Sequence, residues 1–375
     1  MEMNRRSFLK RTVATGALAM GAGPLLGACS GVKRSDLMPS KGSIESVPGL
    51  NKEGAEILHY ASLAPSGHNA QPWTVKIVSQ GEWIIGTDPQ RRLPAVDPEN
   101  RETLLSIGAF TENIVIAAGV MGFEIRTDVV GKNPFEKDVV RVSLTKGKAI
   151  TYPLERLEMR MTAKEGFLSR ELKSADVRAL SEPLEGRLLY FPRGSEHATC
   201  IEEGAVEYFR TQSYRDDAQK ELAGWIRFSN KEAREHRDGL TTESMGIRGI
   251  AGWYVRNFMN KDDAMKESFR KQGVEKVAKQ AAEGGGWFII TSEGESVFDL
   301  IDTGRRFERM ALLARERNIS VHPMTQWLEE KAGQEEIAKN HPPGVMPQFV
   351  LRVGYLGRYP EPVSLRRPVS WFVRT

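Results

Sequence analysis

The chain of 375 residues contains only two cysteines, Cys29 and Cys200, and six histidines. Two cysteines are too few for a disulfide-stapled mini-protein. No His-Glu-x-x-His or Cys-x-x-Cys spacing occurs, so we expect no metal site. There is also no Gly-x-Gly-x-x-Gly after a strand pattern, no Walker loop and no Gly-x-Ser-x-Gly elbow. These absences disfavour the chemistry that each motif supports.

The composition is that of an ordinary globular protein, with 40% hydrophobic and 27% charged residues. It excludes a disordered chain and a collagen-like repeat. The length predicts about two domains or one large one. No run of about 18 strongly apolar residues occurs, so we expect no internal span to cross a membrane.

The N-terminus has the pattern of an export segment. Residues 1–28 place a basic cluster before a short, weak apolar run that ends in small residues. Asn4-Arg5-Arg6-Ser7-Phe8-Leu9-Lys10 resembles a twin-arginine signal, and Leu26-Gly27-Ala28-Cys29 resembles a lipobox. We therefore predict a periplasmic or cell-envelope lipoprotein with its lipid on Cys29. The alternative is a chance arginine pair before a buried helix.

Processing at Cys29 changes the meaning of the charge. Residues 1–28 hold four basic residues and one acid, so they contribute +3 of the formal +4. The remaining chain is near +1, which disfavours nucleic acid as a partner. Cys200 has no partner for a disulfide, and we expect it to act as a small buried hydrophobe. Twin-arginine export carries folded proteins, which favours a tightly bound cofactor.

After a polar stretch, 29–48, that predicts a flexible tether, structure should start near Leu50. From there the patterns of helix and strand recur in two rounds. We predict helices at 51–64, 101–122, 153–161, 174–180, 198–224 (in more than one piece) and 296–317. We predict strands at 73–78, 83–87, 123–130, 139–145, 188–191, 287–291 and 348–355.

The two rounds are weakly similar. At an offset of 196, Gly108 and Glu112 in the first correspond to Gly304 and Glu308 in the second. We interpret the chain as two fused, pseudo-symmetric α+β halves, 49–149 and 150–375, although any two amphipathic helices can align this well. Residues 225–283 have no counterpart in the first round and predict a helical lid or, alternatively, a solvated helical excursion.

The most informative run is Ala64-Pro65-Ser66-Gly67-His68-Asn69-Ala70-Gln71-Pro72-Trp73. Pro65 ends a helix, and the small residues that follow let backbone N–H groups approach a ligand closely. Asn69 and Gln71 supply amide donors and acceptors, which suit the edge of a planar heteroaromatic ring. A tight turn with an Asx cap has the same composition.

This run resembles the flavin-contacting signature of the nitroreductase family. The resemblance extends over most of 49–375, including Gly108-Ala109, Asp302-Thr303-Gly304 and Arg366-Arg367-Pro368. It is greatest with a fused, twin-arginine-exported branch that includes Acg-type proteins. The family implies an α+β fold in which FMN binds between two subunits, whose parts the two halves would play here.

The resemblance also implies which residues contact FMN. Pro65, Ser66, Gly67, His68, Asn69 and Gln71 would face the ring. Arg160, Thr162 and Lys164 would bind the phosphate, with Met161 and Lys164 as departures from the family pattern, although these positions also suit a solvated helix face. Met324, Thr325 and Gln326 would lie beside the reactive ring nitrogen, and Arg366 or Arg367 would add a phosphate contact. His68, like His322, suits a structural role equally well.

Each half lacks one part of this set, so the sequence predicts one FMN per chain and a pseudo-dimeric monomer or weak homo-oligomer. The implied activity is an FMN-dependent oxidoreductase acting on a small planar substrate, such as a quinone or nitroaromatic compound. NAD(P)H is not expected outside the cytoplasm. A flavin-binding or storage protein with a closed lid, or an oxidase or dehalogenase variant, remains as an alternative.

Overall fold

The computed structural model describes residues 30–39, 44, 46–340 and 346–374, without the side chains of 338 and 340. The twin-arginine run and Cys29 lie outside these residues, so export and lipidation stay predictions.

The first half is a layer of strands packed on two helices. Asn51 caps the first helix by accepting the Gly54 N–H at 2.8 Å, and Asp97 accepts the N–H groups of Glu102 and Thr103 at the start of the second. The elements are α1 (Lys52–Ala61), β1 (Trp73–Ser79), β2 (Glu82–Thr87), α2 (Arg101–Val120), β3 (Phe123–Val129) and β4 (Asp138–Lys146).

The second half repeats this pattern and adds helices. A capping box between Ser296 and Asp299 starts its long central helix. The elements are α3 (Glu155–Met159), α4 (Ser174–Ser181), β5 (Leu188–Pro192), α5 (Glu196–Tyr214), α6 (Asp216–Trp225), α7 (Asn230–His236), α8 (Gly249–Phe258), α9 (Lys261–Ala264), α10 (Glu267–Ala281), β6 (Gly286–Ser292), α11 (Val297–Glu316), β7 (Ile319–Pro323), α12 (Gln326–Glu329), α13 (Lys331–Asn340), β8 (Met346–Tyr355) and β9 (Val373–Arg374).

The topology of the two sheets confirms the predicted α+β fold of two fused halves. The first sheet has the strand order β3-β4-β2-β1-β9, and the second has β5-β6-β8-β7. Without β9, each sheet has the same order of corresponding strands, all antiparallel. In each half the central helix connects the second and third strands in chain order: α2 connects β2 to β3, and α11 connects β6 to β7.

Helices α2 and α11 pack against each other between the sheets. Most of α2 is buried, from Thr103 to Gly119, and Phe110 stacks on Trp73 of β1 with ring centroids 4.8 Å apart. Among the described residues, α2 is the one helix long and apolar enough to cross a membrane by length and composition. Its burial identifies it as a core helix of this fold.

The C-terminal segment of the second half crosses over to the first half. After β8 the chain returns to the first half, where β9 pairs in parallel with β1 through Val373 and Val75. Phe372 is buried there and meets Phe110 edge-on at 5.9 Å. The boundary predicted at residue 150 therefore separates the two sheets but not the C-terminal segment.

The predicted flexible tether is wrong for the described part of 29–48. Val32 and Val47 are 2% and 3% exposed, because each packs in an apolar cluster. Arg34 is buried too and donates to the carbonyls of Ser364 at 2.8 Å and Glu158 at 3.1 Å. The polar composition of the stretch gave no sign that these two valines are buried. Because they are, folded structure begins well before Leu50.

Two further expectations have different outcomes. Cys200 is exposed, not buried, because it lies on the outer face of α5 while Ala198 and Ile201 face the core. The insertion 225–283 is helical as predicted, with α8 to α10 packed around a small apolar core that includes Phe228 and Val255. Ala233 of α7 packs instead with Val32 and Leu365.

Candidate functional site

The loop between α1 and β1 has an unusual backbone. His68, Asn69 and Gln71 have φ values of 49°, 53° and 53°, in the left-handed region that disfavours residues with a Cβ. The Gln71 N–H donates to Ser66 Oγ at 2.9 Å, which closes the loop on itself. Strained backbone of this kind is typical of functional sites, where surrounding contacts must hold it in place.

Those contacts come from the insertion and the C-terminal segment. The Asn69 amide donates to the carbonyls of Gly239 at 3.1 Å and Leu365 at 3.2 Å. The Gln71 amide donates to Arg237 O at 3.0 Å, and its oxygen accepts the Arg367 N–H at 2.9 Å. Both amides, predicted to face a ligand, therefore bind protein backbone.

The two C-terminal arginines hold the same loop. Arg366 donates to Asn69 Oδ1 at 2.9 Å and to Leu63 O at 3.0 Å, and Arg367 donates to Gln71 O at 2.6 Å. Burial lowers the pKa of Arg367 to about 9 and that of Arg366 well below its usual value. The structure thus places both guanidinium groups inside the framework of the loop, and their predicted phosphate contact stays a prediction.

Arg160 also lies inside the fold. Its Nε is 3.3 Å from Glu308 Oε1, and the two side chains are 5% and 0% exposed. Burial raises the pKa of Glu308, and the nearby Arg160 opposes this. The Asn113 amide, oriented to satisfy both neighbours, donates to Glu308 at 3.2 Å and accepts the Ala64 N–H. The structure therefore gives Arg160 the role of counter-ion to a buried carboxylate.

Lys164 is different, because its ammonium has no carboxylate within ion-pair distance among the described residues. Burial lowers its pKa to about 8, Lys276 of α10 adds to the effect, and Glu165 opposes it. Glu165 pairs instead with Lys276 at 3.7 Å. An incompletely compensated cation is suited to binding an anion.

His68 lies near enough to Lys164 to be affected by its charge. Burial lowers the pKa of His68 to about 4, with Lys164 as the second cause, so the imidazole is neutral at pH 7. Its Nδ1 is buried and lacks a hydrogen-bond partner within the described part of the chain. The site therefore offers a cation and an unpaired imidazole nitrogen.

Sequence reasoning missed the residue that fixes Lys164. Arg352 of β8 donates to Lys164 O at 2.8 Å and to Gln280 O, and its guanidinium lies 4.0 Å from the Phe167 ring centroid. It also contacts His322 Nδ1 at 3.1 Å, which makes that nitrogen the acceptor. The available signal was an arginine inside the apolar run of a buried strand.

The segment after β7 contains the three residues predicted to lie beside the reactive ring nitrogen. The Met324 N–H donates to Val350 O at 2.9 Å, and its side chain is buried in an apolar cluster with Trp287 and Trp327. Thr325 is buried as well, and Gln326 Oε1 is buried without a hydrogen-bond partner among the described residues. Gln326, like His68, thus has a polar atom left for a ligand.

A pair of carboxyl groups joins this segment to the loop. Glu102 Oε2 lies 2.9 Å from where a Cβ on Gly67 would be, and Glu102 is hydrogen-bonded to Glu329 at the end of α12. The pKa of Glu329 is raised well above its ordinary value by burial and then by Glu102. Gln212 donates to Glu329 at 2.6 Å.

The predicted residues therefore form two groups. Within the described chain, the Lys164 ammonium has no carboxylate at ion-pair distance, and His68 Nδ1 and Gln326 Oε1 have no hydrogen-bond partner. The side chains of Asn69, Gln71, Arg160, Arg366 and Arg367 bind protein groups, although the Nε atoms of the three arginines also have no hydrogen-bond partner among the described residues. The remaining predicted residues, which belong to the same loops, are Pro65, Ser66, Gly67, Thr162, Met324 and Thr325.

Comparison with known proteins gives a consistent class. No family model matches the chain. PigM of Serratia sp. (strain ATCC 39006), named as a probable NAD(P)H nitroreductase, is 24% identical over 330 residues, covering 79% of this chain and 86% of PigM. Rv3131 of Mycobacterium tuberculosis, with a provisional NAD(P)H nitroreductase name, is 22% identical over 331 residues, covering 84% and 90%. These relatives support an oxidoreductase of nitroreductase type.

Solved structures are more distant. A provisionally named nitroreductase from Anabaena variabilis has a TM-score of 0.37 at 10% identity, over 83% of this chain and 90% of its own. The FMN-dependent nitroreductase NfnB from Mycobacterium smegmatis, solved with NADPH, has a TM-score of 0.37 at 12% identity, over 59% and 96%.

Proposed function

We propose that the protein is an exported, FMN-dependent oxidoreductase of nitroreductase type that acts on a small planar substrate such as a quinone or nitroaromatic compound. The observation that carries the proposal is the ammonium of Lys164, unpaired with any described carboxylate and placed beside the strained loop at His68. The names of the sequence relatives support the same class.

The residues fit a phosphorylated flavin. Lys164, reinforced by Lys276 and adjacent to Thr162, would hold the phosphate dianion, which restores the charge balance that burial upsets. His68 Nδ1 and Gln326 Oε1, which have no hydrogen-bond partner in the described part of the chain, would contact the ring system. When bound, FMN supplies the two-electron redox chemistry that these side chains lack.

The chain supports one such site. Within the described residues, the segment around Lys164 belongs to the second half and the strained loop to the first, so the fused halves contribute different parts. Export with a lipid on Cys29 belongs to the same proposal and rests on the N-terminal motifs. Because NAD(P)H is not expected in the cell envelope, we propose that a different donor serves there.

A turnover assay tests the activity. The described core lies between Val32 and Phe372, so protein starting at Ser30 retains it and lacks the export segment. This protein, saturated with FMN, is chemically reduced without oxygen and mixed with a soluble quinone or nitroaromatic compound. We expect rapid reoxidation by at least one acceptor, lost in Lys164→Gln and kept in Lys220→Gln on α6. Reoxidation no faster than that of free reduced FMN would contradict the proposal.

A second function, flavin holding without nicotinamide turnover, is favoured by one observation. Asp238 of the insertion is 2% exposed, and its carboxylate accepts hydrogen bonds from Arg91 at 2.7 Å and from Arg227 at 2.9 Å. These bonds hold the insertion next to the loop that contains Asn69 and Gln71. An insertion held in this way would exclude nicotinamide from the flavin.

Asp238→Asn separates the two functions. If the insertion acts as a closed cover, the variant oxidises NADPH while the wild type does not, and the exposed Asp262→Asn variant behaves as the wild type. NADPH oxidation by the wild type at a rate typical of enzymes would exclude the holding function. Failure of both proteins, together with failure of the quinone assay, would favour it.

A further inference from the structure

Helix α8 of the insertion has its apolar residues on the outside. Ile250 is 86% exposed, and Trp253, Tyr254 and Phe258 are 37%, 55% and 59% exposed. These positions follow the i, i+3, i+4, i+8 spacing of a single helix face. An ordinary surface helix presents such a face to the core, so here the amphipathic pattern is inverted.

The inner face of α8 is already satisfied, so the helix is not simply misplaced. Val255 packs in the small core of the insertion, and Arg256 is buried in an ion pair with Glu243 at 2.8 Å and a hydrogen bond to Thr242 at 2.7 Å. Rotating the helix to hide its outer face would expose Val255 and break this pair. The exposed face therefore belongs to the folded state.

The outer side chains form one contiguous patch. The ring centroids of Trp253 and Phe258 are 5.2 Å apart, and those of Tyr254 and Phe258 are 5.4 Å apart. Contiguous exposed apolar patches on soluble proteins mark interaction sites. Tryptophan and tyrosine are the side chains enriched at the interface between membrane and water.

The start of the described chain lies beside this helix. Ser30 O accepts from the Asn230 amide at 3.5 Å, and a Cβ on Gly31 would overlap the Glu243 carboxylate, which pairs with Arg256 of α8. Ser30 and Gly31 line the same cavity as Arg248 and Gly249 at the N-terminus of α8. A lipid on the residue before Ser30 would thus be attached near the N-terminal end of α8.

We propose that the outer face of α8, formed by Ile250, Trp253, Tyr254 and Phe258, docks in the interface of a phospholipid bilayer beside the lipid on Cys29. The placement rests on the proposed lipidation. The diacylglyceryl group of a lipobox cysteine has two acyl chains and anchors a protein by itself, so contact of this face with the bilayer would supply a second point of attachment that orients the protein. Docking would also hold the insertion, and with it the loop at Asn69, in a fixed orientation to the membrane.

The charges at the ends of α8 bear on the choice of lipid. Arg248 precedes the helix and Lys261 follows it, both exposed, and they favour anionic headgroups. The acids Asp262 and Asp263 lie after the helix, and Asp263 is paired with Lys266 at 2.6 Å. The balance is close to neutral, so apolar insertion should dominate and salt should weaken binding only modestly.

The test uses protein starting at Ser30, which carries no lipid, and sedimentation with vesicles of phosphatidylglycerol and phosphatidylethanolamine. The variant Ile250→Ser, Trp253→Ser, Phe258→Ser removes the patch. The control variant Val78→Ser, Phe135→Ser, Phe298→Ser removes three apolar side chains that are 50%, 53% and 62% exposed elsewhere. We expect the wild type and the control to bind and the patch variant to bind at least fivefold less. No binding of the wild type, or equal binding of the patch variant, would overturn the proposal.

A local probe covers the case in which the triple variant misfolds. In a Cys200→Ser background, an environment-sensitive dye on Tyr254→Cys should shift its emission to the blue with vesicles, and one on Phe298→Cys should not. Sedimentation velocity tests whether the patch binds a second copy of the chain instead of a membrane. A dimer that is lost in the patch variant, together with no binding of the wild type to vesicles, would show that a second copy binds there. Flavin content is measured on the same samples, so a failure here is distinguishable from failure of the proposed function.

Discussion

Gly108 of α2 and Gly304 of α11 meet where the two central helices cross. A Cβ on Gly108 would lie 3.0 Å from the Cα of Gly304 and 2.2 Å from the Ile301 carbonyl oxygen. A Cβ on Gly304 would lie 2.1 Å from the Leu105 carbonyl oxygen. The two positions are equivalent in the two halves, so their contact marks the pseudo-two-fold axis of the fused fold.

Substitution at this crossing should be destabilising. Gly108→Ala and Gly304→Ala should each lower the free energy of unfolding by about 3 kcal/mol or more, because backbone atoms of both helices must separate. Urea titration measures the change. The matched control is Gly224→Ala on α6, where a Cβ would meet nothing within 4 Å. Equal stability of the crossing variants and the control would contradict the close helix contact.

Glu112 and Glu308 occupy equivalent positions in α2 and α11 but have different surroundings. Glu112 binds Arg305 at 2.9 Å and Arg309 at 2.6 Å, whose side chains are 22% and 42% exposed. Glu308→Gln leaves the buried Arg160 without a carboxylate, so we expect a loss of about 3–5 kcal/mol in unfolding free energy. Glu112→Gln should lose less, because solvent can rehydrate its arginines. A larger loss of unfolding free energy in Glu112→Gln than in Glu308→Gln would contradict this difference between the two sites.

The bond between Arg366 and Asn69 fixes the strained loop to the C-terminal segment. Arg366→Lys removes the guanidinium fork, which leaves the buried Ala64 carbonyl without this donor and the Leu63 carbonyl with only the 3.3 Å bond from Arg160. We expect a loss of about 2–4 kcal/mol in unfolding free energy. Together with Asn69→Ala it forms a double-mutant cycle. We expect a coupling of about 1 kcal/mol or more from urea titration. Additive losses would mean that the two side chains do not act together.

Lys164 predicts how flavin affinity depends on pH. Its pKa in the flavin-free protein is about 8, and a phosphate needs the protonated form, so FMN affinity should fall as pH rises above 8. We expect binding to be about tenfold weaker near pH 9.5 than near pH 7 by calorimetry. His68 and His322 stay neutral over this range because their pKa values are lowered, and Glu165 and Lys276 are the other charges nearby. Lys164→Gln should bind weakly at both pH values, and Lys276→Gln separates the contribution of its neighbour.

The lowered pKa of Lys164 also determines whether the stability of the flavin-free protein rises or falls with pH. Between about pH 8 and the ordinary value of 10.5, the unfolded chain keeps a proton that the folded chain has lost, so flavin-free stability should rise with pH. Lys164→Gln should lack this rise. Thermal unfolding of both proteins across this range measures it. If the stability of both proteins depended on pH in the same way, folding would not lower the pKa of Lys164.

Most of the fold could be predicted because its signals are local. Helical periodicity at 101–122 and 296–317 and apolar strand runs placed the central helices and most strands within about two residues of their observed bounds. The short β7 (Ile319–Pro323) and β9 (Val373–Arg374) were not predicted. Each depends on a partner strand distant in sequence, and β9 is only two residues long.

The site was harder to predict because burial decides the role of a polar side chain. Arg366 and Lys164 were both predicted to bind phosphate, yet one is satisfied by backbone carbonyls and the other has no described carboxylate partner. No local pattern distinguishes them. Arg352, which fixes Lys164 through its carbonyl, comes from a strand nearly 190 residues away.

We propose that the fused halves form one asymmetric flavin site. The most direct measurement is the flavin content of the full-length protein purified from its producing cells, read from absorbance at about 370 and 450 nm and from the protein concentration. We expect about one FMN per chain, which is released on unfolding, and a lower flavin content in Lys164→Gln. Two flavins per chain would contradict the asymmetry, and none, even after addition of excess FMN, would contradict the claim that this site binds flavin.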